Sequence, residues 1–108
     1  MPVDNKTTFG LTERDIKTIS GIFNKYLEVI AVHIFGSRAK GTHKPASDID
    51  LAVINEGVND RTILRIKADF EDSTLPYKVD LVNYPLLNHP ELKEHIDRVG
   101  LPFYKRSE

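Results

Sequence analysis

Apolar residues recur at Ile16, Ile19, Phe23, Tyr26, Leu27 and Ile30, in gaps mostly of three and four that put them on one helical face. Thr12 can cap that helix, and Glu13 and Asp15 suit the positive end of its dipole, so the pattern predicts a helix over about residues 12–28. Gly21 costs roughly 1 kcal/mol there relative to alanine, which calls for a packing reason or marks a weak point. The polar residues 1–10 before it are expected to be loosely ordered.

The pattern then changes period. Ala31-Val32-His33-Ile34-Phe35 reads as a short strand stopped by Gly36. Residues 37–47 read as a loop with one helical turn near Arg38. Ile49 to Ile54 alternates, with Ile49, Leu51 and Val53 on one side and Asp48, Asp50 and Ala52 on the other. A helix capped by Asn59 or Asp60 buries Ile63, Ile66 and Phe70, with Leu64 beside them, and Tyr77 to Val82 forms a third strand ended by Pro85. His89-Pro90 opens a last helix with Leu92, Ile96 and Val99 on its apolar stripe, Gly100 at its end, and an apolar tail at 101–104. The order helix, strand, strand, helix, strand, helix predicts a small α+β domain. Its mixed β-sheet has about three strands, with helices packed on one face. All 108 residues fit one domain.

The acids stand out against this frame. Asp48 and Asp50 leave the same face of a strand, where two carboxylates repel and raise each other's pKa unless a cation intervenes. Asp80 lies between Val79 and Leu81 in mid-strand, a costly place for a charge without a partner. Pairing of the second and third strands would bring Asp80 level with the other two. Three such acids could hold two hard divalent ions, Mg²⁺ or Mn²⁺, roughly 3.5–4 Å apart as in-line phosphoryl displacement uses them. Taken alone, Asp-Ile-Asp is as readily a solvated strand edge, and Gly36-Ser37 a plain turn. Together they describe a site, because glycine lets backbone approach a phosphate and the Ser37 hydroxyl adds a donor. Arg38 and Lys40 can offset phosphate charge. No GxxxxGK[ST] loop occurs.

Composition narrows the choices. The 15 basic and 16 acidic residues nearly balance, which argues against strong nonspecific nucleic-acid binding. The chain has no cysteine, so thiolate metal sites and cysteine nucleophiles are excluded. No apolar run approaches membrane length and the first residues lack a signal-peptide core, so a cytoplasmic location is expected. His33, His43, His89 and His95 show no zinc-site spacing, and Ser37 has no nearby base for a hydrolase.

Gly36-Ser37, ten residues, Asp48-Ile49-Asp50, then Asp80 in a Val-Asp-Leu-Val strand resembles the DNA polymerase β-like nucleotidyltransferase superfamily. The stretch FGSRAKGTHKPASDIDLAV is similar to the minimal nucleotidyltransferases of prokaryotes, over about residues 12–104. The resemblance implies the polymerase β-like palm fold, with Asp48, Asp50 and Asp80 as catalytic metal ligands for two Mg²⁺ ions. It implies that Gly36, Ser37 and Arg38 bind the phosphates of a nucleoside triphosphate, ATP first among them. The implied reaction moves a nucleoside monophosphate to a hydroxyl. The implied partner is a HEPN-domain toxin, whose tyrosine would receive AMP in a hetero-oligomer where this chain is the antitoxin. Two alternatives stay open: a noncatalytic nucleotide-binding module that masks its partner, and a nucleotidyltransferase acting on a small molecule.

Overall fold

The computed structural model describes residues 8–106. Most of the N-terminal stretch expected to be loosely ordered lies outside the described residues. Its last part does not behave that way, since Thr8 and Leu11 exchange backbone bonds across a turn and Leu11 is fully buried.

Helix α1 runs Glu13–Asn24 behind a reciprocal cap, in which the Asp15 N–H donates to Thr12 Oγ1 and the Thr12 N–H donates to Asp15 Oδ2, both at 3.1 Å. It ends earlier than its apolar periodicity predicts. The chain turns tightly through 25–29, and the freed carbonyls are gathered by Arg106, whose guanidinium accepts no bond but donates to Phe23, Asn24, Tyr26 and Val29. A cation from far along the chain thus sits where the helix dipole is negative.

Strand β1 (Ala31–Phe35) leads directly into the short helix α2 (Gly36–Lys40), then come β2 (Ile49–Val53), α3 (Asp60–Glu71) and β3 (Val79–Asn83). A single 3-10 turn at Tyr84–Leu86 leads to α4 (Pro90–Val99) and β4 (Leu101–Lys105). The sheet is mixed, in the order β3-β2-β1-β4, with β2 and β3 parallel and β1 antiparallel to both β2 and β4. Four strands replace the expected three. The apolar tail is a real edge strand, where Pro102 is tolerated because its missing N–H leaves no central ladder bond unmade. A bulge accompanies it, with Tyr104 opposite Val32 but Pro102 opposite His33.

The sequence pattern predicts helices on one face of the sheet, but the helices lie on both. α1 and α3 bury Ile19, Phe23, Ile63, Ile66 and Phe70 against Val32, Ile34, Ile49, Leu51, Val53 and Leu81. α4 lies on the opposite face, where Ile96 packs on Phe35 and Ala52 with Ile54 and Val82 around them. The cause is local: beyond Asp50 the second face of β2 turns apolar. One face of the sheet is therefore divided. Its apolar end is roofed by α4, and its acidic end is left open.

Candidate active site

Parallel pairing sets Asp50 directly beside Asp80, and antiparallel pairing sets Asp50 opposite Phe35. Asp48 stands one residue ahead of β2, with the same parity as Asp50. The three acids predicted from the sequence therefore meet at one corner of the sheet. Asp48 and Asp80 are exposed and Asp50 is half-buried. The Asp50 carboxyl is pushed up from its ordinary 3.8 to about 6, first by burial, then by the negative charges of Asp80 and Asp48, against the opposing pull of Arg38.

Gly36 follows Phe35, so it is delivered beside Asp50. Its φ of +76° lies in the left-handed region, and a side chain there would run into the Asp50 carboxylate. Two requirements thus coincide on glycine: the turn into α2 and the approach of backbone to an acid. Ser37, partly exposed, follows in the first turn of α2. Gly41, with φ +79°, ends α2 in the left-handed cap conformation, and the Thr42 N–H donates back to the Ser37 carbonyl at 3.0 Å.

Arg38 departs from its expected place among phosphate-binding residues. It is only 2% exposed. Its Nη1 donates to the Phe9 carbonyl at 2.9 Å, Nη2 to Ser47 at 2.7 Å and Pro45 at 3.5 Å, and Nε is shared between Ser47 at 3.3 Å and Asp48 at 3.2 Å. The Tyr77 ring lies against it, 4.6 Å from centroid to Cζ. This inward fork is spent on main-chain carbonyls, and of the motif's two cations only Lys40 faces solvent.

The donor set fits a hard divalent cation: it is all carboxylate oxygen, and a cation would remove the repulsion that raises the Asp50 pKa. Among the described residues, however, no three ligand-type side chains close on one point as a preformed metal cluster.

Residues 17–108 match the family model described as polymerase beta, nucleotidyltransferase. The chain belongs to this nucleotidyltransferase family. A relative from Haemophilus influenzae named "Probable protein adenylyltransferase MntA" is 35% identical over 75 residues, covering 68% of this chain and 66% of that protein. The chain thus spans just under two thirds of that relative's length. Among solved structures, one assigned as a minimal nucleotidyltransferase is 27% identical, with a TM-score of 0.62 over 92% of this chain and 99% of that one. A toxin–antitoxin crystal structure with AMP-PNP aligns with a TM-score of 0.69 at 20% identity, covering 86% of this chain and 75% of that chain, a likeness of fold.

Sequence reasoning missed the residues that brace this acidic corner of the sheet. Phe9, Pro45 and Ser47 matter through carbonyl oxygens, which every residue has. His89, to which no chemistry is assigned from sequence, caps α4 by accepting the Leu92 N–H at Nδ1, 3.1 Å.

Proposed function

We propose that this chain is a divalent-metal-dependent nucleotidyltransferase that moves AMP from ATP to a hydroxyl of a partner protein. The acceptor we propose is a tyrosine of a HEPN-domain toxin, which makes this chain a cytoplasmic antitoxin. The observation that carries the reading is the pairing of Asp50 with Asp80 beside the Gly36 backbone, on the uncovered end of the sheet. The name of the Haemophilus relative supports AMP and a protein acceptor. The fold shared with MntA-HpeT toxin–antitoxin structures supports a toxin partner.

In this reading the Gly36 backbone and the Ser37 hydroxyl hold the β- and γ-phosphates. Asp48, Asp50 and Asp80 would hold two Mg²⁺ ions, with Mn²⁺ as a substitute. When bound, these ions neutralise charge on the α-phosphate and make the acceptor hydroxyl more acidic. Asp80 accepts the proton of that hydroxyl. In-line displacement forms the bond from the acceptor oxygen to the α-phosphorus as the bond to the β-phosphate bridging oxygen breaks, so that pyrophosphate leaves on the opposite side. The phosphate cradle lies on the β1 side of Asp50 and Asp80 on the other, so the acceptor enters over β3, the open edge of the sheet. A cavity of about 210 Å³ adjoins that edge, lined by Phe70, Tyr77, Lys67 and Lys78 among others, with room for the flank of an acceptor segment.

The test is transfer of label from α-labelled ATP with Mg²⁺ to candidate helical partners encoded beside this chain. Labelling that requires metal and is lost in Asp50→Asn is expected. Absence of labelling with every nucleotide and every neighbouring product would overturn the assignment. Neutralisation of the partner by Asp50→Asn would point to masking in place of transfer.

A further inference from the structure

The geometry points to Arg38 as a positioning residue that fixes Asp48 relative to the phosphate cradle, a role resting on the reading of Asp48 and Asp50 as metal ligands given above. A guanidinium carries five N–H donors in a rigid fork. Here the fork reaches four carbonyls from two separate segments, Phe9 on one side and Pro45, Ser47 and Asp48 on the other. Its flat face rests on Tyr77, two residues before β3 begins. Its own backbone belongs to α2, one residue after Ser37. One side chain thus ties the cradle to the residue that enters β2 and to the approach to β3.

The segment it holds has few other ties: the Thr42 N–H donates to the Ser37 carbonyl at 3.0 Å, and the His43 ring lies against Gly10. No residue from Lys40 to Asp48 is buried, so this loop has no apolar anchor of its own. Its internal bonds, Lys44 N–H to Ser47 Oγ at 2.8 Å and Ser47 N–H to the Lys44 carbonyl at 3.0 Å, shape the turn locally but do not fasten it to the core. Asp50 needs no such brace, because the β-ladders on both sides of β2 locate it. Asp48 lies just outside the strand, and its carbonyl is one of those that Arg38 binds. Loss of the fork would therefore loosen Asp48 and leave Asp50 and Asp80 paired. A lysine at position 38 would keep the charge but, as a compact ammonium, could not bridge both segments.

The test compares Arg38→Lys and Arg38→Met with wild type and with Arg106→Ala, which removes a multi-carbonyl brace at the far end of β1 and serves as the control for lost stability. Mn²⁺ binding is measured by electron paramagnetic resonance with a nonhydrolysable ATP analogue, alongside thermal midpoints and amide hydrogen exchange. Both Arg38 variants are expected to bind Mn²⁺ about 10-fold or more weakly, the range for residues that orient metal ligands. Exchange should quicken at Thr42–Asp48 while the β2 amides stay protected. Arg106→Ala should lower the midpoint and keep wild-type Mn²⁺ binding. Wild-type Mn²⁺ affinity in folded Arg38→Lys would overturn the inference. If wild type binds no Mn²⁺, or Asp50→Asn binds it equally well, the metal reading falls instead. Exchange then decides the role of Arg38, and unchanged protection at Thr42–Asp48 in Arg38→Lys would overturn it.

Discussion

Replacing Asp50 by asparagine should make the metal-free domain more stable at neutral pH while abolishing transfer. The Asp50 carboxyl is held at about 6 against an ordinary 3.8, chiefly by burial and then by Asp80 and Asp48. A group with a raised folded-state pKa binds its proton more tightly in the folded than in the unfolded chain. Its ionisation therefore costs nothing below the ordinary value, and the cost grows as pH rises towards about 6 and is complete above it. At about 1.4 kcal/mol per pH unit the full shift corresponds to ~3 kcal/mol. Asp50 is half-buried, so solvent screening reduces this to about 1–2 kcal/mol. For a domain of this size each kcal/mol moves the thermal midpoint by about 4–8 °C. The assay is thermal or urea unfolding of wild type and Asp50→Asn from pH 4 to pH 8 in chelator. The two curves should meet near pH 4 and separate above pH 6, with the variant higher. Adding Mn²⁺ and a nucleotide analogue should raise wild type alone, by mass action. A difference that stays constant across the pH range, or a variant less stable at pH 8, would refute the electrostatic account.

Gly36→Ala should destabilise by ~1–3 kcal/mol through the strained positive φ, and also displace the Asp50 carboxylate; urea titration and Mn²⁺ binding would report the two effects separately. Gly21→Ala should stabilise by up to ~1 kcal/mol, since a methyl there meets no atom within 4 Å and gains helix propensity, as a urea midpoint would record. Arg106→Ala should cost roughly 1–2 kcal/mol by uncapping the α1 C-terminus, with faster amide exchange in the last turn of α1 as its mark.

Much of this fold could be read from periodicity. Ile19, Phe23, Ile63, Ile66 and Phe70 lie in the core as their spacing predicts. The strand order around the acids was legible for an energetic reason: a mid-strand charge such as Asp80 needs a setting, and the β2–β3 pairing supplies one beside Asp50. The edge strand β4 was hidden because five residues with a proline carry no period of their own, and only β1 makes them a strand. The position of α4 was hidden for a related reason. Phe35, Ala52 and Val82 form an apolar patch only once three strands are side by side. Arg38 shows the limit most clearly. Its residue type suggested a phosphate contact, but burial and the accepting carbonyls, which tertiary structure alone assembles, give it different work.

The sheet is finished by residues synthesised after the whole acidic motif. β1 carries the turn into Gly36, yet its second edge finds a partner only in Leu101–Lys105, and the α1 terminus its cation only in Arg106. A nascent chain that has released the glycine turn and all three acids from the ribosome still lacks the strand that closes the sheet beside them. Pairing across so long a stretch of chain is slow to form. Assembly of this corner is thereby coupled to completion of the domain, and a prematurely terminated product would contain every residue of the motif without the frame that holds them.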